Sequence, residues 1–252
     1  MKPLLHFLRT LLLSFYFSAT GVAAADEFSV LPAVTKSRET IEVGLRERHH
    51  VIARPTTLKQ GNRYPLIVGF HGHRGEVKAW MHDYTPFEAL TSLQNFIIVY
   101  PEAPISWSYR SGAGDVEFFD RIVAKVSEDF PVDKARIYAL GHSNGAGFAS
   151  ALLYLRPKTV AAVASYAGLA PARSIDPGDR KPPLFVIWGE KDEFAPGASD
   201  RVQGSIQSFR NRGYPVEAWI VPNRGHGWGN REDQMEEKIL SFFFKHTLPD
   251  EK

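Results

Sequence analysis

Gly141-His142-Ser143-Asn144-Gly145 combines one hydroxyl with two glycines at a spacing suited to nucleophilic chemistry. The flanking residues read as a strand and then a helix. Glycines at such a junction allow a sharp turn that lifts the serine out of a sheet. The helix N-terminus behind Ser143 would offer backbone N–H groups and partial positive charge where an oxyanion forms. A plain tight turn, with Ser143 capping the helix, is the competing account. A serine hydroxyl is weak alone and needs a base that an acid orients.

Both are available further along the chain. His226 lies in Pro222-Asn-Arg-Gly-His-Gly-Trp-Gly229, and Asp192 in Trp188-Gly-Glu-Lys-Asp-Glu-Phe-Ala-Pro196. Each follows an apolar run that reads as a strand, which gives the chain order serine, acid, histidine. Glu190 and Glu193 are close rivals for the acid, Asp176 and Asp179 distant ones, and a solvated acidic turn is the plainer account of residues 190–193. His246 on a terminal helix and His49 and His50 on an early strand are poorly placed for the base. His71, His73 and His142 precede or adjoin the serine.

His71-Gly72 closes an early buried run, and the loop it opens can present a second oxyanion N–H, from Gly72 or His73, beside that of Asn144. His71 and His73 also form an H-x-H pair. Carboxylates at a matching spacing and H-E-x-x-H are absent, so no metal and no cofactor are expected. His71, Trp107 and Trp228 are candidate substrate contacts, with Trp80 and Tyr109 on the same side. Core or loop packing competes for the aromatics.

These residues need a scaffold, and the hydrophobic pattern supplies one. Strands are expected at 49–54, 65–70, 96–100, 136–140, 160–166, 183–188 and 216–221. Their apolar runs are continuous, as strands covered on both faces require. Amphipathic or small-apolar helices are expected at 115–130, 144–155, 200–212 and 232–246. Residues 26–40 read as a polar lead-in, and Arg46 to His50 as a solvated strand face. Alternation of strands and helices implies a mostly parallel α/β sheet.

Composition excludes several classes. The chain of 252 residues has no cysteine, so thiol nucleophiles, thiolate metal sites and disulfides are ruled out. Lys2 and Arg9, an apolar stretch around Leu11 to Phe17 and small residues at Val22 to Ala25 have the layout of a signal peptide. A membrane anchor is the alternative, but the stretch is short of the roughly 20 residues needed to span. Residues 1–25 are therefore expected to be removed, leaving 26–252 as a single domain, secreted or periplasmic, with no stable membrane anchor. The signal carries two of the 30 basic residues and no acid, so the remainder balances the 28 acidic ones. Neutrality, and the lack of basic runs with interleaved aromatics, argue against nucleic acid as a partner.

In their order, these motifs resemble the secreted esterases related to polyhydroxybutyrate depolymerases and feruloyl esterases. The matching pieces are Pro65-Leu-Ile-Val with His71-Gly72, Val99-Tyr-Pro-Glu102, Trp107, Asp115-Val-Glu-Phe118, Val132-Asp133 with Arg136-Ile-Tyr138, Gly141 to Gly145, Trp188 to Asp192 with Pro196, and Gly225-His-Gly-Trp228. The resemblance implies an α/β-hydrolase fold, a mostly parallel central sheet with helices on both faces. It also implies Ser143 as nucleophile, Asp192 as acid and His226 as base in cofactor-free ester hydrolysis. Ala146 and His73 depart from the family pattern, which often has glycine and cysteine there. Only 23 residues follow Gly229, so the expected partner is a small-molecule or oligomeric ester, not an insoluble polymer. A dipeptidyl or acyl-peptide hydrolase and a non-catalytic binding protein are the alternatives.

Overall fold

Most of the apolar runs that need cover on both faces become the interior of one sheet, whereas 216–221 forms an edge of it with Glu217 and Ala218 exposed. The computed structural model describes residues 33–74, 87–110, 112–174, 180–193, 198–228 and 233–249. The expected signal peptide, Trp80, Asp176, Asp179, Pro196 and Gly229 lie outside them.

Among the described residues eight strands form a single sheet: β1 Val34–Val43, β2 Arg46–Pro55, β3 Tyr64–Phe70, β4 Ile97–Pro101, β5 Val132–His142, β6 Ala162–Tyr166, β7 Leu184–Gly189 and β8 Val216–Val221. Their order is β1-β2-β4-β3-β5-β6-β7-β8. The first two pairings, β1 with β2 and β2 with β4, are antiparallel, and the rest are parallel. Five helices accompany it: α1 Phe87–Gln94, α2 Asp115–Asp129, α3 Asn144–Leu155, α4 Ala198–Asn211 and α5 Met235–Phe243.

Side chains alternate across a strand, so each strand feeds two cores. Leu66, Val68 and Phe70 of β3 join Phe119 and Ile122 of α2, Phe148 of α3 and Ile206 of α4. Ile67 faces the other way, with Phe87 of α1 and Met235, Ile239 and Phe243 of α5. Helices thus cover both faces, as the α/β-hydrolase fold requires.

Three expectations change. Residues 34–40 are not a lead-in but part of β1, which pairs along its whole length with β2 across the turn at Gly44 (φ 59°). Helix α1 was not anticipated; it is only eight residues long, with Phe87, Thr91 and Ser92 its buried residues. The run Arg46 to His50 is solvated only at its start. His50 is fully buried edge-on to Phe118, and Arg48 turns inward to bond Asp115. Among the described residues no helix is long and apolar enough to cross a membrane.

Candidate active site

Ser143 joins β5 to α3 with φ 54° and ψ −118°, a conformation that L-residues avoid and that costs on the order of 1–3 kcal/mol. Neighbours hold it there. Its N–H donates to Tyr166 O at 2.8 Å, and its carbonyl accepts from Gly147 N–H at 3.1 Å. The two motif glycines make the turn possible by allowing close approach. A Cβ at Gly141 would overlap the Gly145 carbonyl, and one at Gly145 would overlap the Phe70 carbonyl of β3. No other residue type fits either place.

Strands β7 and β8 bring the other two groups. Asp192 follows β7 and His226 follows β8, and both arrive over Ser143. His226 Nε2 lies 2.8 Å from Ser143 Oγ. His226 Nδ1 lies 2.9 Å from Asp192 Oδ2 and 3.1 Å from Oδ1. The Asp192 side chain is wholly buried and that of His226 is 18% exposed. With Nδ1–H donating to the carboxylate, Nε2 is left to accept the serine proton. This is the arrangement of an activated hydroxyl.

The rival acids do something else. Glu193 Oε2 accepts the His226 backbone N–H at 3.1 Å, and Glu190 Oε2 accepts that of Asn223 at 2.8 Å. Both hold the main chain of the His226 loop. Backbone N–H groups, its own and that of His226, keep the Glu193 carboxyl below its ordinary range.

The oxyanion candidates sit on two sides of Ser143. Asn144 is the first residue of α3, where N–H groups have no partner within the helix. Gly72 runs close by: a Cβ there would stand 3.4 Å from Ser143 Cβ and 3.1 Å from His142 Nδ1. His73 is exposed beyond it.

His71, expected as a substrate contact, is turned into the interior. It is buried, its Nε2 accepts the Ala103 N–H at 3.0 Å, and its Nδ1 meets Gly72 O at 2.8 Å. Because Nε2 accepts, Nδ1 carries the proton and donates. The ring therefore anchors the Gly72 carbonyl and, through the trans peptide, sets the direction of the His73 N–H. Burial lowers its pKa. Both ring nitrogens of His71 are thus engaged by the main chain.

The tryptophans are buried as well. Trp107 is 3% exposed, its indole N–H donates to His71 O at 2.9 Å, and it packs edge-on against Phe70. Trp228 is 8% exposed, donates to Glu236 Oε1 at 2.6 Å and stands edge-on to Tyr166. Core packing accounts for both. Tyr109 packs partly buried against the same core as Trp107.

Two further contacts escaped the sequence. The Asn144 side chain brackets the Trp107 peptide, Oδ1 accepting its N–H at 2.6 Å and Nδ2 donating to its carbonyl at 3.3 Å. His142 Nε2 meets the His226 carbonyl at 2.8 Å. The partners are 37 and 84 residues apart, a separation that only the fold closes.

Comparison with known proteins agrees with this architecture. A family model described as the dienelactone hydrolase family matches residues 109–241, just over half of the chain. Acetylxylan esterase A of Emericella nidulans is 28% identical over 114 residues, covering 41% of this chain and 37% of that protein. Feruloyl esterase D of Neurospora crassa is 26% identical over 140 residues, covering 51% and 48%. The chain spans 30% to 56% of the lengths of the curated relatives it matches. Among solved structures, a ferulic acid esterase superposes with a TM-score of 0.66 at 18% identity, over 84% of this chain and 98% of that one. That last likeness is one of fold.

Proposed function

The chain belongs to the dienelactone hydrolase family, and from that premise we propose that it is a secreted serine esterase acting on soluble carboxylic esters. The observation that carries this reading is the hydrogen-bonded series Ser143, His226, Asp192, at 2.8 and 2.9 Å.

In this mechanism Ser143 Oγ attacks the ester carbonyl carbon while His226 Nε2 takes the hydroxyl proton. Asp192 stabilises the imidazolium and keeps the ring in its tautomer. The carbonyl oxygen, now an oxyanion, receives the Asn144 N–H and an N–H of the Gly72–His73 segment. Collapse expels the alcohol, which takes the proton from His226. A water, deprotonated by the same nitrogen, then attacks the acyl-enzyme, freeing the acid and restoring Ser143. No cofactor enters.

The substrate classes are feruloyl esters, acetyl esters and hydroxyalkanoate oligomers. Relatives named for feruloyl and acetylxylan esters favour the first two. Export would follow removal of residues 1–25. Replacing Ser143 with alanine should abolish hydrolysis of p-nitrophenyl acetate and labelling by a fluorophosphonate, while the melting temperature stays nearly unchanged. Full activity in that variant would overturn the assignment. Parallel rates on acetyl, butyryl, feruloyl and 3-hydroxybutyrate esters, with matched amides, would then order the substrates.

A further inference from the structure

Strands β5 and β6 end side by side, with His142 opposite Tyr166 in register. Their rings stack at 5.4 Å and 21°, and Trp228 stands edge-on to both. From this platform two side chains reach the loop after β8. His142 Nε2 lies 2.8 Å from His226 O, so it carries the ring proton and donates. Tyr166 Oη shares its single proton between Gly225 O and Gly227 O.

We propose that His142 and Tyr166 are positioning residues that hold three consecutive carbonyls, those of Gly225, His226 and Gly227, and thereby keep the His226 imidazole between Asp192 and Ser143. The inference rests on the triad reading above and names what keeps that triad assembled. The need is physical. His226 sits outside any helix or strand with glycine on each side, and glycines leave a chain more backbone freedom than any other residue. Something must remove that freedom before substrate arrives. Glu193 accepts the N–H of His226, and the stacked pair takes the carbonyls. Burial drives the His142 pKa down to about 4, so above that the ring is a neutral, single-proton donor and adds no charge beside the base.

The test compares the near-isosteric variants His142→Gln and His142→Met with Tyr166→Phe. Glutamine offers an N–H at nearly the reach of Nε2; methionine offers none. Fluorophosphonate labelling rates and steady-state kinetics on p-nitrophenyl acetate are read for each. The expected result is a fall in labelling rate and kcat of roughly tenfold for methionine, the equivalent of about 1.4 kcal/mol, with KM nearly constant. Glutamine restores most of the rate, and Tyr166→Phe, which keeps the stack and loses the hydroxyl, falls in the same direction as methionine. Equal rates for methionine and glutamine, or a loss confined to KM, would overturn the proposal. If the methionine variant does not fold, Tyr166→Phe decides, and an unchanged rate there overturns it. Failure of the unmodified protein to label would instead remove the triad reading.

Discussion

Arg48 and Asp115 form an ion pair at 2.9 Å, with side chains only 13% and 9% exposed. The pair is a brace for the loop that reaches Asn144. Asp115 Oδ2 accepts the Ser108 N–H at 2.8 Å, and Arg48 Nη2 donates to Glu102 O at 3.1 Å. Both ends of residues 102–108 are thus tied to the scaffold, one through β2 and the other through the first turn of α2. The Arg48 guanidinium also lies over the Phe118 ring at 4.4 Å.

Removing one partner leaves a buried charge uncompensated. Asp115→Ala should therefore destabilise the protein by about 3–5 kcal/mol in urea unfolding. The double variant Arg48→Met with Asp115→Leu should recover much of that loss. If the single variant unfolds at the same urea concentration as the parent, the brace has no energetic weight.

Asp192 and Glu193 differ by one position and hold different parts of His226. Asp192→Asn should lower kcat by about 10⁴, since an amide facing Nδ1 favours the wrong tautomer. Glu193→Gln keeps an acceptor for the His226 N–H and should change kcat far less. Comparable losses in the two variants would mean that the carboxylate at Nδ1 is not the acid.

Asn144→Ala leaves the Trp107 N–H and carbonyl without their side-chain partners. A buried donor so stranded costs about 1–3 kcal/mol, visible as a lower melting temperature. The N–H proposed to receive the oxyanion belongs to the Asn144 main chain and survives the substitution. Slower fluorophosphonate labelling would then report a loosened loop, not a lost donor. An unchanged melting temperature would show the bracket to be dispensable.

Four imidazoles, His50, His71, His142 and His246, are held below their ordinary pKa of 6.5 by burial, His142 at about 4. Folded values below the unfolded one mean that the unfolded chain binds more protons in between. Their contribution is complete above the unfolded value and is lost as pH falls through the window toward the folded values. The melting temperature should fall between about pH 6.5 and about pH 4, and less so in His142→Gln, which removes one such site. A melting temperature indifferent to pH across that window would contradict the burial of these rings.

Much of this was legible in the sequence because its signals are local. The inner strands show as continuous apolar runs, and the serine turn is marked by two glycines that sterics require. Strand β1 was hidden because it lies at the edge, where Lys36, Arg38 and Glu42 face solvent and interrupt the apolar pattern. His71, Trp107 and Trp228 read as cleft residues because loops near a site are usually exposed. Here Trp107 packs into one core against Phe70, Trp228 into the other against Tyr166, and His71 is buried against Gly72 and Ala103. Asp192 stood out by its place after an apolar run, but that Glu190 and Glu193 hold backbone N–H groups of the His226 loop is a relation between two loops, which no single segment encodes. His142 was passed over for the same reason, since its partner lies on another strand's loop.

The β1–β2 hairpin has a consequence for how copies of the chain meet. A bare sheet edge invites strand addition from a second molecule, and charged outer strands discourage it. Strand β1 carries the exposed Lys36, Arg38 and Glu42 at that edge, while β2 behind it carries the buried Ile52 and Ala53. Without β1, that apolar strand would become the rim of the sheet. Trimming the chain to begin near Leu45 should thus bare that strand and raise the tendency of the protein to aggregate.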